Sequence, residues 1–71
     1  MTPSKLHAHV ARRIRDKLRA KGMSAEKLAL EIEMSRGYIY EFLNGKKNIT
    51  IDTLQRIADG LEIKIRDLFP E

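Results

Sequence analysis

Arg36 and Glu41 share one short helical pattern, SRGYIYEFL, and the loop NGKKN that follows it carries Lys46 and Lys47. These residue types have a definite chemistry. A guanidinium is a planar fork of N–H donors, able to bond the O6 and N7 of a guanine together, worth about 1–3 kcal/mol of discrimination. A carboxylate accepts from a cytosine N4–H and repels phosphate, so Glu41 suits a base edge better than a backbone. Adjacent lysines beside a glycine turn suit phosphate oxygens; solvated loop charges are the plain alternative. Tyr38 and Tyr40 can offer a hydroxyl to phosphate or a ring to a sugar or thymine methyl, and for each the alternative is packing on a neighbouring helix. Gly37 has no side chain, which lets a helix approach closely or leaves a gap where a longer residue would read a base. These groups point to a DNA duplex.

Such groups need elements to hold them. Between Gly22 and Gly45 two short helical patterns, each opened by a serine, run from Ser24 to about Ile32 and from Ser35 to about Leu43, with only Glu33 and Met34 between them. A connection that tight implies a steep crossing, with the second helix projecting from the body. Ser24 and Ser35 supply the hydroxyl that an N-cap needs. Leu28, Ala29 and Ile32 face inward on the first helix, and Ile39, Phe42 and Leu43 on the second. That leaves Arg36, Gly37, Tyr38, Tyr40 and Glu41 mostly outward.

The flanking segments keep helical spacing too. Leu6, Val10, Ile14 and Leu18 fall four apart and predict an amphipathic helix from about Ser4 to Ala20, stopped at Gly22. Thr50 opens a fourth helix whose inner face is Ile51, Leu54, Ile57, Ala58 and Leu61. Ile63, Ile65, Leu68 and Phe69 predict a short fifth helix from about Lys64. Alternation with period two never lasts beyond three residues. The expectation is an all-α, five-helix single domain over residues 1–71, with its helix-turn-helix at about 24–43.

Composition narrows the function classes. The 71 residues carry a net charge of +4, and seven of the fourteen Lys and Arg lie in residues 1–23 against the single Asp16. With Lys46 and Lys47, that distribution favours a polyanion partner. There is no cysteine, which excludes disulfides, thiolate metal sites and cysteine catalysis. His7 and His9 stand two apart, on different faces of a helix, and are expected at the surface rather than on a metal. No Gly-rich phosphate loop is present. No catalytic residue, metal or cofactor is expected. No apolar run approaches the roughly 20 residues of a membrane span, and the N-terminus lacks a signal-type apolar stretch, so a cytoplasmic protein is expected.

The pieces IRDKLRAKGMSAEKLA, EMSRGYIYEFLNGKKN and TIDTLQRIADGLEIKIRDLF, in that order, resemble the helix-turn-helix family of phage repressors (Cro-like) and XRE-type transcriptional regulators. The resemblance runs from about Val10 to Phe69. It implies a five-helix lambda-repressor-like domain in which Ser35, Arg36, Gly37, Tyr38 and Glu41 face bases. Ser24, Ala25, Asn44, Lys46, Lys47 and Asn48 would lie along the DNA backbone, where the hydroxyl of Tyr40 is expected by its own chemistry. It further implies a regulator of transcription that reads double-stranded DNA. A monomer of this size has a small footprint, so a homodimer on an inverted repeat is expected, with a dimer surface around Leu61, Ile63, Ile65 and Leu68, some of these also in the core. The alternative is a protein-interaction or antitoxin-type module with little DNA binding. This sequence departs from the pattern at Ala25, where many relatives have glutamine, and at Glu33, where glycine is usual in the turn. It also departs at Leu18 and Leu43, where some relatives pair a buried arginine with a glutamate. Exchanging both partners of such a pair for apolar residues is often neutral or stabilising.

Overall fold

A computed structural model describes residues 4–70. Four α-helices, α1 (Lys5–Lys21), α2 (Ala25–Glu31), α3 (Arg36–Leu43) and α4 (Ile51–Gly60), are followed by a single 3-10 turn at Ile65–Leu68. No strand occurs among the described residues, and none of their helices is long and apolar enough to cross a membrane. The predicted fifth α-helix is therefore corrected to a 3-10 turn. Only four residues separate Lys64 from Phe69, and one tight turn is enough to bring Leu68 into the core. The Asp67 carboxylate closes that turn by accepting from the Lys64 N–H at 3.3 Å.

Each helix opens on a capping hydroxyl. Ser4, Ser24, Ser35 and Thr50 accept from the backbone N–H groups of His7, Lys27, Tyr38 and Thr53 at 3.0–3.1 Å. Such a cap contributes about 0.5–2 kcal/mol relative to alanine.

Each helix also closes the same way. A residue at positive φ follows the last turn, and the next N–H reaches back to a carbonyl five residues earlier. Among the described residues the positive-φ residues are Gly22, Glu33, Gly45 and Glu62. The returning bonds are Met23 N to Leu18 O, Met34 N to Ala29 O, Lys46 N to Glu41 O and Ile63 N to Ala58 O, all 2.8–3.0 Å. Met23, Met34 and Ile63 then pack on the core, which sets the direction in which the chain leaves each of those turns. Glu33 and Glu62 adopt φ 56° and 58°, a conformation that glycine accepts more readily.

The core combines Val10, Ala11, Ile14 and Leu18 with Leu28, Ala29, Ile32, Ile39, Phe42, Leu43, Leu54, Ile57, Ala58, Leu61 and Leu68. Among the described residues no charged or polar side chain lies in it. Leu18 and Leu43 are both buried. Gly60 lets α2 lie against α4. A Cβ there would stand 2.7 Å from Ile32 Cγ2 and 2.9 Å from Leu28 Cδ1. Side chains of α1 also bond the backbone of other elements. His7 Nε2–H donates to the Phe42 carbonyl at 2.7 Å, with the two rings 4.7 Å apart. Arg13 Nε donates to the Asp67 carbonyl at 3.1 Å. The Arg56 guanidinium donates to the Ile32 carbonyl at the end of α2. His7 and His9 are half-buried, correcting their expected surface placement: the first turns of α1 pack against neighbouring elements instead of standing clear.

Candidate nucleic-acid interface

The outward face of the helix-turn-helix begins at the α2–α3 turn. The Ser35 cap starts α3 abruptly, so Arg36 and Gly37 stand in its first turn. Ile39, Phe42 and Leu43 hold its opposite side in the core. Ser35, Arg36, Gly37 and Glu41 are exposed as a result. A Cβ built on Gly37 meets nothing within 4 Å, so no packing within the subunit calls for a glycine there.

The lysine loop is fastened to the same helix. Tyr38 is half-buried and its hydroxyl donates to the Asn48 carbonyl at 3.0 Å. Lys47 Nζ lies 5.1 Å from the centre of the Tyr38 ring, within reach of a cation–π attraction. At the other end of the loop, Arg15 Nη2 donates to Asn44 Oδ1 at 3.0 Å. Lys46, Lys47 and Asn48 remain exposed. Tyr38 thus braces the loop with its hydroxyl, and Asn44 commits its carbonyl oxygen to α1.

Glu26, in the first turn of α2, reaches across to α3. Its Oε2 accepts from Arg36 Nη1 at 3.3 Å and its Oε1 from the Tyr40 hydroxyl at 3.3 Å. Ser24 is exposed at the start of α2, whereas Ala25 is half-buried against the core. The Ala25 side chain is turned inward, which leaves only its backbone to face outward.

Ser35, Arg36, Gly37, Tyr38, Tyr40, Glu41, Asn44, Lys46, Lys47 and Asn48 thus come together along α3 and its following loop. The expected dimer residues do not behave as a set. Leu61 and Leu68 have no exposed surface, because each is the inward anchor of its element, so these two are the core members of the expected set and not contacts with a second copy. Ile63 and Ile65 are half-buried. Sequence reasoning also misses a larger apolar feature. Leu6, Ile49, Ile51, Leu54 and Phe69 line an open cavity of about 330 Å³ between the N-terminal turns of α1 and α4. At its rim Leu6 is 49% and Ile51 76% exposed. The signal is present only in part: spacing assigns Ile51 to an inner face, but position one of a helix lies beyond the packed turns.

Known proteins share this outline. The family model described as helix-turn-helix matches residues 14–68. Control protein C.BamHI of Bacillus amyloliquefaciens is 35% identical over 52 residues, covering 73% of this chain and 64% of that protein; the chain therefore spans less than two thirds of that relative. The restriction-modification controller protein C.AhdI from Aeromonas hydrophila superposes with a TM-score of 0.83 at 30% identity, covering 89% of this chain and 96% of that one. The tetramer of the restriction-modification controller protein C.Esp1396I, in complex with its natural 35 base-pair operator, gives a TM-score of 0.80 at 30% identity, over 92% and 96% of the two chains.

Proposed function

The chain belongs to the helix-turn-helix family, and from that premise we propose that it is a sequence-specific regulator of transcription that binds double-stranded DNA as a homodimer in the cytoplasm. One observation carries the reading. The Tyr38 hydroxyl ties the helix bearing Arg36 and Glu41 to the loop bearing Lys46 and Lys47, so base-facing and phosphate-facing groups move as one surface. In the proposed complex the N-terminal half of α3 enters the major groove. Arg36 and Glu41 read base edges, Ser35 and Gly37 let the helix approach, and Lys46, Lys47 and Asn48 rest on phosphates. Ser24, the Ala25 backbone, Tyr40 and the Asn44 amide flank that contact.

Homodimerisation follows from footprint. One short helix reads few base pairs, and two-fold pairing doubles them at half-sites about 34–36 Å apart. A subunit of 28 × 28 × 22 Å has the width for that spacing. The surface best suited to a second copy is the cavity rimmed by Leu6 and Ile51. It holds both a groove and protruding apolar side chains, which an isologous contact requires of one patch. Asn48, Ile49 and Thr50 line it as well, so it is continuous with the lysine loop. C.Esp1396I is a tetramer on its operator, and the proposal extends self-assembly on DNA to this chain.

Selection of bound sites from random duplex DNA tests the reading. The expected product is an inverted repeat, with affinity that falls steeply as salt rises because phosphate contacts release counterions. A protein that enriches no sequence and shows no salt dependence would instead be a protein-docking module.

A further inference from the structure

Arg36 does not stand alone on its surface: it is held by a carboxylate from another helix. Glu26 meets Arg36 Nη1 with one oxygen and the Tyr40 hydroxyl with the other, each at 3.3 Å. Arg36 and Tyr40 are one turn apart on α3, so a single side chain of α2 engages two side chains on the outer face of α3. Resting on the DNA-binding reading above, we propose that Glu26 is a positioning residue that makes Arg36 select guanine over phosphate.

Geometry leaves the arginine able to read a base. Glu26 engages Nη1 alone, at a single point, and the Nε and Nη2 N–H groups of the fork meet no acceptor among the described residues. A bidentate bond to guanine needs two N–H groups on one edge, and that edge is still free. The contact therefore limits the rotamers of Arg36 without occupying the donors it needs. Both side chains are more than half exposed, so water screens the pair and it remains easily rearranged.

Electrostatics then biases the choice of acceptor. A free arginine on a DNA-binding face is drawn to the nearest phosphate of any sequence, because that attraction is the sequence-independent part of binding. The carboxylate offsets part of the Arg36 charge and repels phosphate oxygens that approach it. Guanine O6 and N7 are neutral acceptors and meet far weaker repulsion. Glu26 thus weakens binding to arbitrary DNA more than binding to a site with guanine in place, which is how selectivity between partners arises.

The test uses the full chain and E26Q, which keeps the shape and an acceptor but removes the charge. Affinities are measured across a salt series on the selected duplex and on a scrambled duplex, with a melting curve to establish that E26Q is folded. E26Q is expected to bind the scrambled duplex more tightly, with a steeper salt slope, and to lose about tenfold in the ratio of selected to scrambled affinity. An E26Q protein that changes both affinities by the same factor, or neither, overturns the proposal for Glu26 while leaving the DNA-binding reading intact. Failure of the unmodified chain to prefer any duplex overturns both. The ratio is the deciding readout, because a merely structural role for Glu26 would move both affinities together.

Discussion

The Tyr38 hydroxyl donates to the Asn48 carbonyl at 3.0 Å, so the first turn of α3 and the last residue of the basic loop are held by one hydrogen bond. Tyr38→Phe removes that bond and leaves the carbonyl to water. The expected loss of stability is about 0.5–1.5 kcal/mol, read from denaturant unfolding. DNA affinity should fall several-fold on selected and scrambled sites alike, since the loosened loop is the part that meets phosphate. An unchanged affinity would mean that the loop holds its shape without Tyr38.

Gly37 offers a way to separate stability from binding. A Cβ there meets nothing within the subunit, and glycine in a helix costs up to about 1 kcal/mol relative to alanine. Gly37→Ala should therefore raise the unfolding free energy by as much as that. If α3 approaches a groove closely at this point, the same variant should bind the selected duplex more weakly. Raised stability with unchanged affinity would place Gly37 away from the DNA.

Arg36 and the lysine pair should fail differently. Arg36→Ala is expected to relax sequence preference at one base pair in each half-site, visible by repeating the site selection. Changing Lys46 and Lys47 to Ala together should weaken binding to all sequences. It should also flatten the dependence of log K on log salt, by about 0.9 for each phosphate that is no longer neutralised. A lysine pair whose removal leaves the slope untouched would not lie on the backbone.

Glu33 and Glu62 hold positive φ without being glycine, and neither position is buried. The left-handed conformation costs a non-glycine residue roughly 1–2 kcal/mol, partly offset by the greater freedom that glycine brings to the unfolded chain. Glu33→Gly should thus stabilise by about 1 kcal/mol or less, a rise of a few degrees in Tm for a domain of this size. Calorimetry showing a lower Tm would mean that Glu33 makes a compensating interaction through its side chain.

Ile51 and Leu61 distinguish surface from core. Ile51→Glu should leave the subunit folded, by circular dichroism, while sedimentation shows fewer dimers and DNA affinity drops. Leu61→Ala should cost about 2–5 kcal/mol of stability, because Leu61 is wholly buried, and its effect on assembly should follow from unfolding. Dimers that persist undiminished in the Ile51 variant would move the interface elsewhere.

What the sequence determined by itself was local. Apolar residues at helical spacing, four capping hydroxyls and the glycines at 22 and 45 specify the helices nearly to the residue, since these signals act within one or two turns. The exposure of Arg36 and Glu41 also follows from spacing, because Ile39, Phe42 and Leu43 commit the opposite side of α3 to the core. Glu33 is visible as an unusual residue in its turn, whereas Glu62 carries no comparable cue. Tertiary structure decided what depends on how the helices meet. Glu26 and Arg36 are ten residues apart, as are Tyr38 and Asn48, and only the packing of α2 on α3 and the return of the loop bring each pair within hydrogen-bond distance. Leu61 and Ile63 look alike in sequence. The first is buried completely and the second only half, because the left-handed Glu62 turns the chain between them.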